Sequence, residues 1–172
     1  MAETLLLKTR VSKIQMADPI ASAAALAAMV EGDWTDLPLT LRDDEVLIND
    51  EDPDESEVFS HENDSAEDYD LIGNGSTISG SFIKATRAML VTLMGGESVG
   101  ADAATRIHRS AQRLLLNKAL KFTLKDGSDI IVPNAKGYVS LNASIGYGGV
   151  TKYPFRFKAL TAAEDWAVDI IF

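Results

Sequence analysis

The chain has no cysteine, so a disulfide framework and a thiolate metal site are both excluded, and its stability has to come from packing or assembly. It has no apolar run near the ~20 residues that a membrane-spanning helix needs. It starts Met1-Ala2-Glu3-Thr4 and has only three leucines before Lys8, without the basic start and apolar stretch of a secretory signal. The expectation is a protein made in, and retained in, the cytoplasm of its cell. It has only two histidines, His61 and His108. Most unusual is the lack of any Lys or Arg between Asp43 and Asp70.

That interval carries fourteen carboxylates: Asp43, Asp44, Glu45, Asp50, Glu51, Asp52, Asp54, Glu55, Glu57, Glu62, Asp64, Glu67, Asp68 and Asp70. Without it, 12 acidic residues face 16 basic ones, so a chain of net charge −10 divides into a strongly acidic segment and a body near +4. Such a segment suits another copy of the chain, a basic partner or metal ions, and the net charge argues against general affinity for nucleic acid or anionic membrane. At 172 residues the chain is expected to form a single domain, with residues 43–70 as an acidic arm.

The rest reads mainly as strand. Leu120, Phe122 and Leu124 alternate with Lys121, Thr123 and Lys125, the period of two that gives one buried and one wet face. Asp126-Gly127 predicts a tight primed turn, after which Ile130 to Val132 run until Pro133 ends the strand. A second hairpin is predicted from Val139 to Ile145, turning at Gly146-Tyr147-Gly148-Gly149. Its return strand points Tyr153, Phe155 and Phe157 one way, and Lys152, Pro154, Arg156 and Lys158 the other. Pro154 lacks a donor, so this strand is placed at an edge, or that position faces away from the ladder. Leu5 to Gln15 and the terminal Val168, Ile170 and Phe172 also read as strand. A helix is predicted over 84–95, with Ala85, Met89, Leu90, Leu93 and Met94 on one side and Gly95-Gly96 as its stop. The Ala-rich stretch Pro19 to Val30 reads as a helix capped by Ser22 or Asp18, or as a loose insertion, and 103–116 reads as either helix or loop.

Chemical motifs are weak. Asp50, Asp52 and Asp54 have the spacing of a calcium loop, but Glu55 stands where the turn glycine is needed and His61 where the closing Glu is needed. The glycine clusters at 73–75 and 95–100 lack the Lys-Ser/Thr of a phosphate loop, and there is no Gly-x-Ser-x-Gly elbow. The aromatic and basic residues of 152–158 alternate onto opposite faces, so stacking and phosphate contact do not converge for nucleic acid. Val46 to Ile48 and Val58-Phe59 read as apolar islands that pair as two arms of a long hairpin. The contact that uses both charge extremes joins the acidic arm of one copy (Asp50, Asp52, Asp54, Glu55, Glu57, Val58, Phe59) to a basic face on the next (Lys121, Lys125, Lys152, Arg156, Lys158). Such a contact is heterologous and propagates.

The order of segments resembles a phage major tail tube protein of the Bacteroidetes-phage type, with broader similarity to the type VI secretion and contractile-tail tube fold. The resemblance rests on Leu5 to Gln15, Gly32-Asp33-Trp34-Thr35-Asp36-Leu37-Pro38, the acidic arm leading to Glu62-Asn63-Asp64-Ser65, and Gly80-Ser81-Phe82-Ile83. It continues through the helix ending Leu93-Met94-Gly95-Gly96, Lys121 to Gly127, Ile131 to Lys136 and Tyr153 to Leu160. It does not extend to the Ala-rich stretch 19–30.

The resemblance implies a mainly β (α+β) domain of two packed antiparallel sheets, sandwich- or barrel-like, with one short flanking helix and a long acidic β-arm. It implies homo-hexameric rings stacked into a tube in the virion tail, assembled in the host bacterial cytoplasm with other tail proteins. Genomic DNA passes through a negatively charged lumen without specific binding; no membrane, cofactor, metal or catalysis is expected. The alternatives are a tail terminator or tube-initiator ring of the same fold, and a calcium-dependent β-sandwich binding module.

Overall fold

A computed structural model describes residues 10–59, 61, 66–73, 75–100, 106–163, 166 and 168–172. The expected Leu5 to Gln15 strand thus lies outside the described residues up to position 9, as do Glu62 to Ser65, Asn74 and positions 103–105 of the ambiguous stretch.

The protein is mainly β. Seven antiparallel strands form one sheet in the order β2-β1-β9-β10-β11-β6-β3, with β1 Val11–Ala17, β2 Thr35–Asp36, β3 Leu47–Asp50, β6 Ser76–Phe82, β9 Leu116–Leu124, β10 Asp129–Val139 and β11 Tyr153–Ala159. Two separate two-stranded ribbons pair β4 (Asp54–Phe59) with β5 (Ala66–Ile72), and β7 (Glu97–Val99) with β8 (Arg106–His108). Among the described residues there are two short α-helices, α1 (Ala23–Ala28) and α2 (Arg87–Met94).

The alternation read in the sequence sets the core. Leu120 and Phe122 of β9 are buried together with Ile14, Ile78, Phe82, Val132, Phe155 and Phe157, and Leu124 is buried as well. Phe82 stacks on Phe155 at 4.3 Å between ring centroids. Where the structure departs from expectation, hydrogen bonding gives the reason. The β9–β10 loop is longer than a primed two-residue turn: Gly127 N–H donates to Leu124 O (3.1 Å) and Leu124 N–H to Ser128 O (2.9 Å). Only Gly127 needs positive φ (90°), and the Asp126 carboxylate accepts from Ser128 N–H at 3.0 Å. Pro133 does not end its strand. The register with β9 shifts between Val132 and Ala135, and the proline sits in that bulge, where no ladder donor is required of it. Nor does Pro154 mark an edge, because β11 lies between β10 and β6. It stands just past the end of β10, where its carbonyl accepts the Ser140 N–H at 2.8 Å.

One sheet is seen among the described residues rather than two, and it does not close. Its ends are nonetheless linked. Leu37 N–H donates to Ile14 O of β1 at 2.8 Å; two residues on, Leu39 O accepts from Ile83 N–H at 2.6 Å, and Leu41 N–H donates to Ser81 O at 3.0 Å. The segment 37–41 therefore ties the β1 side to β6, four strands away in the sheet order. The C-terminus docks by a bridge between Ile171 and Ile131, with both N–H···O distances at 2.8 Å.

Helix α2 starts at Arg87, three residues later than position 84, because the Thr86 side chain accepts the Met89 N–H, and it stops at Gly95 (φ 75°). Leu93 and Met94 carry its buried face. The Ala-rich stretch does form a helix, shortened to α1, with Ser22 accepting the Ala25 N–H at 3.1 Å. Asp18 instead pairs with Lys118 at 2.7 Å.

Candidate functional site

The antiparallel registers give the sheet two unlike ends. Val11, Leu124, Ile130, Ser76 and Asp50 gather at one; Ala17, Leu116, Val139, Tyr153 and Phe82 gather at the other.

The acidic segment divides into three parts, the first at the Tyr153–Phe82 end of the sheet and the other two at the Asp50–Ser76 end. Asp44 approaches Lys152 with both carboxylate oxygens at 3.0 Å. Next, β3 joins the edge of the sheet along β6, and Asp50 accepts a hydrogen bond from the Ser76 hydroxyl. Glu51 accepts from Thr77 Oγ1 at 2.6 Å, Arg156 Nη2 at 3.3 Å and Lys158 Nζ at 3.4 Å. The third part is the β4–β5 ribbon, in which Asp52 to Val58 are exposed. Among the described residues, neither of its strands hydrogen-bonds into the seven-stranded sheet.

This corrects one expectation. Val46 to Ile48 do not pair with Val58-Phe59; β3 packs Ile48 against the core beside β6, whereas β4 pairs with β5. The reason is charge: a strand reading Asp-Glu-Ser-Glu has too many carboxylates for a half-buried sheet position. Asp50 to Glu57 consequently run from the end of β3 into β4, which pairs along its length with β5.

The basic residues are spread over β9, β11 and the turns beside them. Lys152, Arg156 and Lys158 stand on or beside β11 and meet Asp44 and Glu51 of the same chain. Lys121 lies on β9, two strands away, 3.3 Å from Asp129 and 5.6 Å from the Trp34 ring centroid. Lys125 is exposed in the β9–β10 turn.

Hydrogen bonding from Thr77, then the charge of Lys158, holds the Glu51 carboxyl below its ordinary pKa, and hydrogen bonds from Lys152 and Ser81 lower Asp44. Because both pKa values are depressed in the folded state, their stabilisation is complete at neutral pH and is lost as pH falls through the ordinary carboxylate range. Thermal unfolding followed against pH is therefore expected to show an acid-side loss of stability that is shallower in Glu51→Gln; parallel profiles would refute the role given to Glu51.

The Asp50–Ser76 end holds an open, mostly apolar cavity of about 470 Å³, walled by Ile48, Phe122, Leu124, Ile130 and Ile170, with Asp50 and Asp169 in its lining.

Five cations gather at the opposite end, where Asp44 also lies. Lys84, Arg87, Arg106, Arg109 and Arg113 are all exposed there, on and around α2, β8 and the loop before β9. The Arg113 guanidinium lies 4.5 Å from the Tyr138 ring centroid. Sequence reading passed over this group, although the signal was present: from Lys84 to Arg113 five cations face only Glu97 and Asp102. From this end the β10–β11 hairpin extends through the Asn142–Lys152 bridge to an uncharged turn, where Ile145 is 97% exposed and Tyr147 fully exposed.

Among the described residues no three of His, Asp and Glu converge as a metal-ligand set, and no helix is long and apolar enough to cross a membrane. The geometry offers surfaces of opposite character at the two ends of one sheet. In comparison with known proteins, no family model matches the chain and no curated protein matches it either.

Proposed function

We propose that this chain is a structural subunit that assembles with copies of itself: six copies close a ring, and rings stack into the tube of a phage tail, through which DNA passes. The observation that carries this reading is the acidic β4–β5 ribbon. Among the described residues its strands pair only with each other; a two-stranded ribbon by itself is marginal in water, so one so charged makes physical sense as an arm that meets a partner surface. The open sheet supports the finer architecture, two packed layers continued from copy to copy into a barrel, because among the described residues its outer strands, β2 and β3, are short and do not pair with each other. Carboxylates of the acidic segment facing a lumen would let phosphate slide without sticking. Neither catalysis nor a cofactor enters this role; the partners are further copies and the other tail proteins, in the virion tail after assembly in the bacterial cytoplasm.

Sedimentation velocity across a concentration series separates this role from that of a tail terminator or initiator. A tube subunit grows without limit, a terminator stops at one ring, and a species that stays monomeric throughout would refute both. Replacing Asp52, Asp54, Glu55 and Glu57 together (D52N, D54N, E55Q, E57Q) is expected to leave the monomer's circular dichroism unchanged and to weaken stacking. Added salt should weaken the unmodified protein in the same sense, since exposed charges are screened beyond about 10 Å at 0.1 M. Undiminished growth of the variant would exclude the arm from the contact.

A further inference from the structure

We infer that copies join head to tail along the strand direction, the Ile145–Tyr147 turn of one copy entering the apolar cavity between β3, β9, β10 and the C-terminus of the next. This rests on the reading that the chain assembles with itself, and it names the surfaces that meet.

Three observations carry it. First, an aliphatic and an aromatic side chain stand almost wholly in water at the apex of a hairpin, while an open apolar cavity of about 470 Å³ lies elsewhere on the same chain. A tyrosine suits such a site because its ring buries apolar area while its hydroxyl seeks an acceptor, and Asp50 and Asp169 in the lining supply carboxylates.

Second, a chain cannot fill its own cavity. Ile130 in the cavity wall is near the start of β10, and the turn extends beyond Val139 at its end. The 11 residues of β10 separate the two by roughly 35 Å at about 3.3 Å per residue. Unlike surfaces at opposite ends of one axis make a heterologous contact that propagates as a stack.

Third, charge selects the same pairing. Two copies of net charge −10 repel, yet this alignment brings the exposed Arg87, Arg106, Arg109 and Arg113 toward the acidic ribbon of the neighbour, and the segment inserted, residues 141–150, carries no charge. The receiving surface for the arm is then the arginine-bearing end rather than Lys152, Arg156 and Lys158, which Asp44 and Glu51 already engage within the chain.

The absence of cysteine makes a decisive test available. Tyr147→Cys combined with Phe172→Cys, the latter at an exposed residue lining the cavity, should give a ladder of disulfide-linked multimers when assembled protein is oxidised. Tyr147→Cys with Val30→Cys should give none. Separately, Ile145→Ser/Tyr147→Ser should keep the circular dichroism and melting temperature of the unmodified protein while raising the concentration needed for assembly at least tenfold, and Tyr147→Phe should largely retain assembly. A Ser variant that assembles undiminished, or assembled protein whose Tyr147→Cys/Phe172→Cys form yields no ladder, overturns the contact and leaves self-assembly standing. Unmodified protein that remains monomeric at every concentration overturns both.

Discussion

Gly137→Ala is expected to destabilise the protein by about 3 kcal/mol or more, at the upper end of what overpacking costs. Gly137 sits in β10 opposite Phe157 of β11. A Cβ there would lie 2.1 Å from the Arg156 carbonyl oxygen and 2.6 Å from Cδ1 of the Phe157 ring. The first of these atoms is backbone in a paired strand and cannot rotate away, so the added methyl is accommodated only by prising β11 from β10. For a chain of this size the change should lower the melting temperature by roughly 6–12 °C. Gly146→Ala is the matched control, because a Cβ at Gly146 meets nothing within 4 Å. Equal melting temperatures for the two variants would contradict the β10–β11 pairing described above.

The second large effect is expected at Phe82, where removing the ring by Phe82→Ala should cost about 3–5 kcal/mol. Phe82 is 1% exposed, stacks on Phe155, pairs with Tyr153 across the sheet and bridges to Thr40. It thus holds core packing together with the strap at 37–41 that links the two ends of the sheet. Chemical denaturation should show the midpoint moving sharply while the slope is kept. A loss under about 1 kcal/mol would mean that the site collapses around the missing ring and that the strap is held by other contacts. Both variants act on the platform that fixes the arm, the cavity and the hairpin turn relative to one another, so both should also abolish assembly wherever they unfold the chain.

How far these features were legible in the sequence depended on whether the signal was local. The alternation of Leu120, Phe122 and Leu124 against Lys121 and Thr123, and of Phe155 and Phe157 against Arg156 and Lys158, placed two strands and their buried faces correctly, because a period of two needs nothing beyond neighbouring residues. The α2 stop at Gly95 was legible for the same reason, whereas its start was displaced by Thr86, a capping residue outweighed by the apolar pattern from Lys84 onward. Pro133, and the edge alternative for Pro154, misled because proline excludes only a hydrogen-bonded donor, and which positions lack one depends on where the bulge falls and on which strand ends first. Pairing was not legible at all in the acidic segment. Val46 to Ile48 and Val58-Phe59 looked like mutual partners, yet each found a different strand, since partner choice is decided by the core beneath β3 and not by apolarity alone. The division of the described strands into one sheet and two ribbons is likewise a property of long-range registers.

The candidate surfaces show the same division. The acidic arm announces itself in composition. The basic residues chosen as its counterpart, Lys152, Arg156 and Lys158, have the right spacing on one strand, but spacing cannot disclose that Asp44 and Glu51 fold back onto them. The exposed arginines between Arg87 and Arg113 lie on separate short elements, so only the fold assembles them into one end of the molecule.

The central claim is that this chain builds an open-ended assembly from two unlike ends, and the most direct measurement is electron microscopy of the purified protein, concentrated without any added partner. The account predicts six-fold rings stacked into hollow tubes. A uniform field of single particles of monomer size, unchanged as the concentration rises, would contradict it.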